Sequence, residues 1–303
     1  MKKTFYSNGK LLITGEYLVL DGSKSLALPT KYGQNLIVEK GTNQEIKWTS
    51  FDADVSVWFD ETISFNAIKT KSVFENESVK NTLIAILHEA YLLNPKQIDL
   101  SEGFVVATRL TFPRKWGLGT SSTLINNIAQ WFKINAFVLL KNSFGGSGYD
   151  IACAQNDCPI VYHLEKGKPK VEKVIFNPIF TSAIYFVYLN QKQSSKEAIA
   201  SYNAKKSNLE RYKKTITTIT DKVLKSNDHN SFSQALNEHE KELSSILEIK
   251  TVKQTLFPDF IGTIKSLGAW GGDFVLAVSH EDPTSYFVSK GYETVIPYNK
   301  MIL

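Results

Sequence analysis

The sequence predicts a mixed α+β protein of two domains, and three observations carry that prediction. Its 303 residues exceed what one typical compact domain holds. Strand-like and helix-like segments follow one another without the strict β-α-β alternation of a parallel α/β fold. Glycine clusters at residues 117–119 and 145–148 each stand just ahead of a helical pattern. Hydrophobic residues make up 43% and charged residues 21%, enough for a sizeable core beneath an ordinary solvated surface.

In chain order, residues 10–20 (KLLITGEYLVL) are apolar and β-rich and read as a strand closed by the Asp21-Gly22 turn. Residues 35–39, 45–49 and 55–60 read as further strands. From 78 to 93, Val79, Leu83, Ile86, Leu87, Ala90 and Tyr91 recur at helical spacing, which leaves His88 on the helix surface. Residues 104–112 form a β-branched strand that Pro113 ends. One helix is expected from 120 to 140, with Leu124, Ile128 and Phe132 on its apolar face, and another from about Asp150. After a strand at 160–163, the polar, lysine-rich stretch 165–173 marks the expected boundary between domains at 1–168 and 169–303. Beyond it come a strand (182–189), long charged helices between 196 and 247, a short helix (258–266), a strand (274–279), a helix and a terminal strand.

The net charge of +5, from 35 Lys and Arg against 30 Asp and Glu, suits a small anionic substrate. Nucleic acid is not expected, because no stretch carries a dense Lys/Arg run. Cys153 and Cys158 have neither redox nor zinc-site spacing and read as buried free thiols in a reducing compartment. The first ten residues lack an apolar leader, and no run approaches the ~18 apolar residues of a membrane span. A cytoplasmic location without membrane attachment is expected, and a homodimer stays open.

The segment Gly117-Leu118-Gly119-Thr120-Ser121-Ser122 carries the clearest chemistry. A helix start leaves backbone N–H groups unpaired and gathers partial positive charge. Glycines let the chain approach an anion closely, and the Thr120, Ser121 and Ser122 hydroxyls add donors or a magnesium ligand. Two or three charge-assisted hydrogen bonds of about 1.5–3 kcal/mol each would hold a polyphosphate. A plain helix cap needs one such hydroxyl and no preceding Gly-x-Gly. The Walker A lysine is missing, Ser122 replaces the third glycine of the dinucleotide pattern, and Tyr149 replaces the last glycine of a nucleophile elbow.

Taken in order, the segments resemble the signatures of the GHMP kinases. Asn8-Gly9-Lys10 through Gly15-Glu16-Tyr17 is similar to the N-terminal G-K-x-x-x-x-G-E motif, and Gly117–Ser122 to the G-L-G-S-S nucleotide loop. Gly268-Ala269-Trp270-Gly271-Gly272-Asp273 resembles the C-terminal glycine loop, and Gly146-Ser147-Gly148-Tyr149-Asp150 the segment of the catalytic aspartate. The resemblance implies a ribosomal-S5-like N-terminal domain and a ferredoxin-like C-terminal domain, with ATP, magnesium and acceptor bound in the cleft between them. It implies Lys10 and Asp150 as catalytic residues, Gly117, Leu118, Gly119, Thr120, Ser121 and Ser122 as the nucleotide loop, and Ser121 as magnesium ligand. Substrate contacts are implied for Glu16, Tyr17, Ser147, Ser194, Ser195, Lys196, Gly271, Gly272 and Asp273.

The chain departs from the pattern at three places. Leu139 stands where mevalonate kinase carries a second magnesium-binding carboxylate, Thr120 replaces a serine, and Trp270 replaces a glycine. Gly15-Glu16-Tyr17, Gln193-Ser194-Ser195-Lys196 and Gly271-Gly272-Asp273 resemble the phosphomevalonate kinase branch, and Arg114 and Lys115 add positive charge for a phosphorylated acceptor. The expected reaction is phosphorylation of phosphomevalonate. Mevalonate is the alternative acceptor, diphosphomevalonate decarboxylase a more distant branch, and a catalytically inactive ligand-binding protein the non-enzyme reading.

Overall fold

The computed structural model describes residues 2–72, 78–191, 199–200, 202–204, 209–268 and 272–303. The chain condenses into two compact units, each gathered from separate segments. The first comprises Met1–Gly9, Tyr32–Arg114 and Leu118–Gln155; the second comprises Lys10–Lys31, Lys115–Gly117 and Asn156–Leu303. Strands β1 (Lys3–Leu12) and β2 (Ser25–Lys40) therefore each run through both units.

In the first unit β3 (Glu45–Phe51) pairs antiparallel with β4 (Val57–Ser64) and parallel with β5 (Phe104–Leu110). β5 pairs in turn with the second half of β2, from Gln34↔Leu110 to Lys40↔Phe104. Alternation decides which face of β5 is covered: Phe104, Val106, Thr108 and Leu110 are buried while Val105 and Arg109 are exposed. Helices Val79–Leu93, Thr120–Phe132 and Ala136–Ser143 contribute to the same core, where Trp131 stands edge-on to Phe104 at 5.0 Å. Burying each such large apolar side chain is worth about 1.5–3 kcal/mol.

The second unit holds a four-stranded antiparallel sheet in the order β11 (Val295–Pro297), β8 (Ile184–Tyr188), β10 (Phe274–Val278), β9 (Thr263–Leu267). β10 and β9 are both buried along their whole length; β10 (FVLAV) reads as a continuous apolar run without alternation, whereas β9 (TIKSL) buries Thr263, Lys265 and Ser266 as well. Helix Leu209–Lys225 packs on helix His229–Leu247, which in turn lies along β9. Asp228 caps the second helix by accepting from Asn230 and Ser231 N–H, a bond pair worth about 1 kcal/mol. Elsewhere in this unit Ser25–Ala27 of β2 pairs with β6 (Ile160–Glu165), which forms a hairpin with the exposed β7 (Lys168–Lys173).

Several sequence expectations need correction. The strand expected over 10–20 ends at Leu12, and Leu18–Asp21 is a 3-10 turn. Gly15 at φ 92° and Tyr17 at φ 62° take the chain out of the extended region. The helix expected over 120–140 breaks at Lys133 (φ 56°), and Asn135 caps a new helix from Ala136. The helix expected over 258–266 lies earlier, at Val252–Leu256, started by a Thr251/Gln254 capping box; Thr263–Leu267 is strand. The strand expected at 55–60 runs from Val57 to Ser64. Cys153 is buried and Cys158 half-buried, and neither is in a disulfide.

Candidate functional site

In the first unit, Leu118 is fully buried and anchors the loop, while Gly119 at φ 98° turns the chain into helix Thr120–Phe132. That left-handed conformation favours glycine. The Ser122 hydroxyl donates to the Gly119 carbonyl at 2.9 Å, so it serves the turn itself. Ser121 is exposed and Thr120 half-buried at the open end of the helix, where first-turn N–H groups lack acceptors in the preceding turn. A buried hydrogen-bond chain fixes this helix from behind. Thr123 Oγ1 donates to Gln34 Oε1 (2.7 Å), Asn127 Nδ2 to Gln34 O (2.9 Å), Ser7 Oγ to Asn127 Oδ1 (2.8 Å) and Asn126 Nδ2 to Ser7 Oγ (2.8 Å). Gln155 Nε2 then donates to Asn126 Oδ1 (3.0 Å), and Gln155 caps helix Tyr149–Ala154. Asp150 sits in the first turn of that helix, after Gly148 at φ 90° and the buried Ser147.

In the second unit, residues from three sequence motifs meet at Gly117. Lys10 Nζ donates to the Gly117 carbonyl at 3.4 Å. The Asp273 carboxylate fills the space that a Cβ on Gly117 would occupy. Asp273 itself has φ 53°; its N–H donates to Gln191 O (2.9 Å), and its carbonyl accepts from Leu189 N–H (2.8 Å). Trp116 secures Gly117 from the preceding position, lying 5.4 Å edge-on to Phe274 and 6.4 Å from Tyr188. Gly272 is buried beside Asp273, whereas Ser194, Ser195, Lys196 and Gly271 lie outside the described residues. Tyr17 is buried in a strained positive-φ conformation (φ 62°, ψ −52°), its ring 5.5 Å from that of Tyr202.

Glu16 faces a buried charge cluster that sequence reasoning missed. Lys265 Nζ donates to Glu16 Oε1 at 2.6 Å and also to the Ser266 carbonyl, and stands 3.4 Å from Glu240 Oε1. Ser266 donates to Glu240 through its N–H (3.1 Å) and hydroxyl (3.2 Å). Gly15 N–H donates to His239 Nε2 at 2.9 Å, so the neutral imidazole carries its proton on Nδ1. Burial raises the carboxyls of Glu16 and Glu240, the latter to about 7, against the pull of Lys265. Burial, and then the Lys265 charge, hold His239 well below the usual imidazole range. A signal for these residues exists in the sequence. Phe232, Leu236, Leu243 and Leu247 form the buried stripe of helix His229–Leu247, and Glu240 falls on it.

Among the described residues no group of three or more His, Cys, Asp or Glu is gathered to hold a metal ion, and no helix is long and apolar enough to cross a membrane. The exposed Ser121 hydroxyl is a hard oxygen donor of the kind magnesium accepts.

No known family profile and no curated protein sequence matches the chain. Solved structures do match, and several of them are small-molecule kinases of the GHMP fold. Mevalonate kinase from Methanococcus jannaschii superposes with a TM-score of 0.72 at 16% identity, covering 97% of this chain and 96% of that one. Streptococcus pneumoniae phosphomevalonate kinase, in complex with phosphomevalonate and AMPPNP, gives 0.70 at 15% identity over 97% and 99%. Lactococcus lactis galactokinase, complexed with galactose, gives 0.66 at 14% identity over 95% and 88%. The chain has the two-domain α+β fold of the GHMP kinases, and the resemblance carried by its glycine motifs holds at the level of that fold.

Proposed function

We propose that the chain is an ATP-dependent small-molecule kinase that converts phosphomevalonate to diphosphomevalonate, with functional domains divided at residues 168/169. The observation that carries this reading is the meeting of Lys10 and Asp273 at Gly117. Three segments far apart in sequence bring a cation, a carboxylate and a positive-φ glycine together there, a combination that suits a phosphate-binding loop. The galactokinase likeness leaves sugars as acceptors to be tested alongside.

In this reading the Thr120–Ser122 helix start binds the ATP phosphates, and Lys10 stabilises charge on the transferring phosphoryl group. Ser121 would hold magnesium together with phosphate and water oxygens. When bound, the ion neutralises charge on the β- and γ-phosphates. The acceptor oxygen attacks the γ-phosphorus, the bond to the β,γ-bridging oxygen breaks, and ADP leaves. A phosphate acceptor has a second pKa of about 6 and is already an oxyanion near neutrality, so Asp150 orients it without taking a proton. Were mevalonate the acceptor, Asp150 would take the hydroxyl proton. Acceptor-side contacts are assigned in this reading to Ser147, Gly272 and Asp273 on the strength of the motif resemblance; Ser194, Ser195, Lys196 and Gly271, which the resemblance adds, lie outside the described residues. Tyr17 shapes the same side through its backbone, and Glu16, its carboxylate on Lys265, supports the turn beneath it. A coupled ADP-release assay with Mg-ATP and phosphomevalonate, mevalonate, homoserine or galactose tests the reading. Turnover with phosphomevalonate at the highest kcat/KM is expected, and no turnover with any of the four overturns it.

A further inference from the structure

β9 is an edge strand of its sheet, and Ser266 turns both of its backbone polar groups away from β10. Such an edge needs cover. Here the cover is ionic: Lys265 takes the Ser266 carbonyl and Glu240 takes its N–H. The same ammonium holds Glu16, and His239, next to Glu240, holds the Gly15 N–H. One buried cluster thus fastens the Gly15-Glu16-Tyr17 turn and the last residues before Gly268 to a single helix. Both fastened segments lead into motifs assigned above to the acceptor side.

We propose that Lys265 and Glu240 are positioning residues that lock the Gly15-Glu16-Tyr17 turn to β9, and that ionisation of Glu240 loosens this lock; the link to catalysis rests on the kinase reading. The charge count gives the direction. With Glu240 protonated, one ammonium faces one carboxylate, Glu16. Once Glu240 ionises, the same ammonium is shared between two carboxylates, at 2.6 and 3.4 Å. The titratable and charged groups facing Glu240 are Lys265 from β9, Glu16 from the turn after β1 and His239 from its own helix, with Lys10 acting on Glu16 from β1. Glu240 titrates at about 7, so the change falls near neutrality.

Hydrogen–deuterium exchange on the full chain reads the lock directly. After correction for intrinsic rates, protection of the amides at 15–20 should fall at least ~5-fold between about pH 6 and about pH 8 in the wild type. In Glu240→Gln, which keeps the shape and cannot ionise, the change should stay within ~2-fold. Matching changes in both proteins overturn the proposal, as does unchanged protection in the wild type. A kinetic arm follows phosphomevalonate and mevalonate turnover over the same range. The ratio of acceptor KM in the wild type to that in Glu240→Gln, in which the acceptor's own ionisation cancels, should rise at least ~3-fold with pH, with the corresponding ratio for ATP unmoved. Parallel KM profiles overturn the catalytic link. If no acceptor turns over, the kinase reading and that link fail together, while the exchange data still decide the lock.

Discussion

Lys265 and Glu16, 249 positions apart in the chain, form a buried ion pair at 2.6 Å. Neither side chain has water to fall back on, so removing one partner strands the other. Breaking such a pair from one side typically costs about 3–5 kcal/mol. Lys265→Met should therefore lower the stability of the second unit by an amount of that order, measured by urea unfolding. Adding Glu16→Gln should recover part of the loss, because the stranded charge is then gone. A double variant as unstable as the sum of the singles would show that the two residues do not interact energetically.

Glu240 should make stability depend on pH in a direction opposite to that of most paired carboxylates. Its folded pKa lies at about 7 against an ordinary 4.5, so the fold favours the protonated form. The associated stability is fully present below about 4.5 and is lost as pH rises through about 7. The shift corresponds to roughly 3 kcal/mol over that window. The difference in unfolding free energy between wild type and Glu240→Gln isolates this contribution from the other titrating groups. It should change monotonically from about pH 4.5 to about pH 7.5, and a constant difference would exclude the buried-acid assignment.

The fold and the glycine turn at Gly117–Gly119 that opens a helix were legible in the sequence for a shared reason: both depend on local chemistry. Gly117, Gly119 and Gly148 occupy positive-φ turns, and glycine at such positions can be read without coordinates. The β-branched run of β5 and the periodic helix at Val79–Leu93 likewise carry their own patterns. Glu240 is marked only by its place on the apolar stripe of its helix, and Lys265 carries no local pattern that separates it from a solvated charge. A lysine in TIKSL and a glutamate in a charged helix become a pair only when the fold joins them. Tyr17 belongs with them, since its φ of 62° reflects the packing around the 3-10 turn and not any preference of tyrosine.

Gly117 should tolerate no side chain. It has φ 67°, and a Cβ there would overlap the Asp273 carboxylate. The left-handed conformation alone costs a non-glycine residue about 1–2 kcal/mol. The overlap adds displacement of Asp273. Gly145→Ala provides the control, with a similar φ of 74° and nothing near its Cβ. Binding of a fluorescent ATP analogue should weaken at least ~10-fold in Gly117→Ala and less than ~3-fold in Gly145→Ala, because only the first moves a neighbour as well as straining the backbone. Equal losses would mean that backbone strain, and not the contact with Asp273, governs the loop.

Asp150 offers the sharpest separation of binding from chemistry. Its helix is tied through Gln155 and Asn126 to the polar chain that also holds Thr123 and the start of helix Thr120–Phe132. None of those bonds passes through the Asp150 side chain, so truncating it should leave the nucleotide loop in place. Asp150→Ala is expected to bind ATP within ~2-fold of wild type and to lose at least ~100-fold in kcat, the usual scale for a positioned acid–base or orienting group. Asp150→Asn then distinguishes the acceptors. With a phosphate acceptor the amide still hydrogen-bonds and needs no proton transfer, so it should recover at least ~10-fold over alanine. With a hydroxyl acceptor the amide cannot take the proton and should stay as slow as alanine. Near-normal turnover in Asp150→Ala would remove this residue from the chemistry and leave the Gly148-Tyr149-Asp150 helix start as a structural cap.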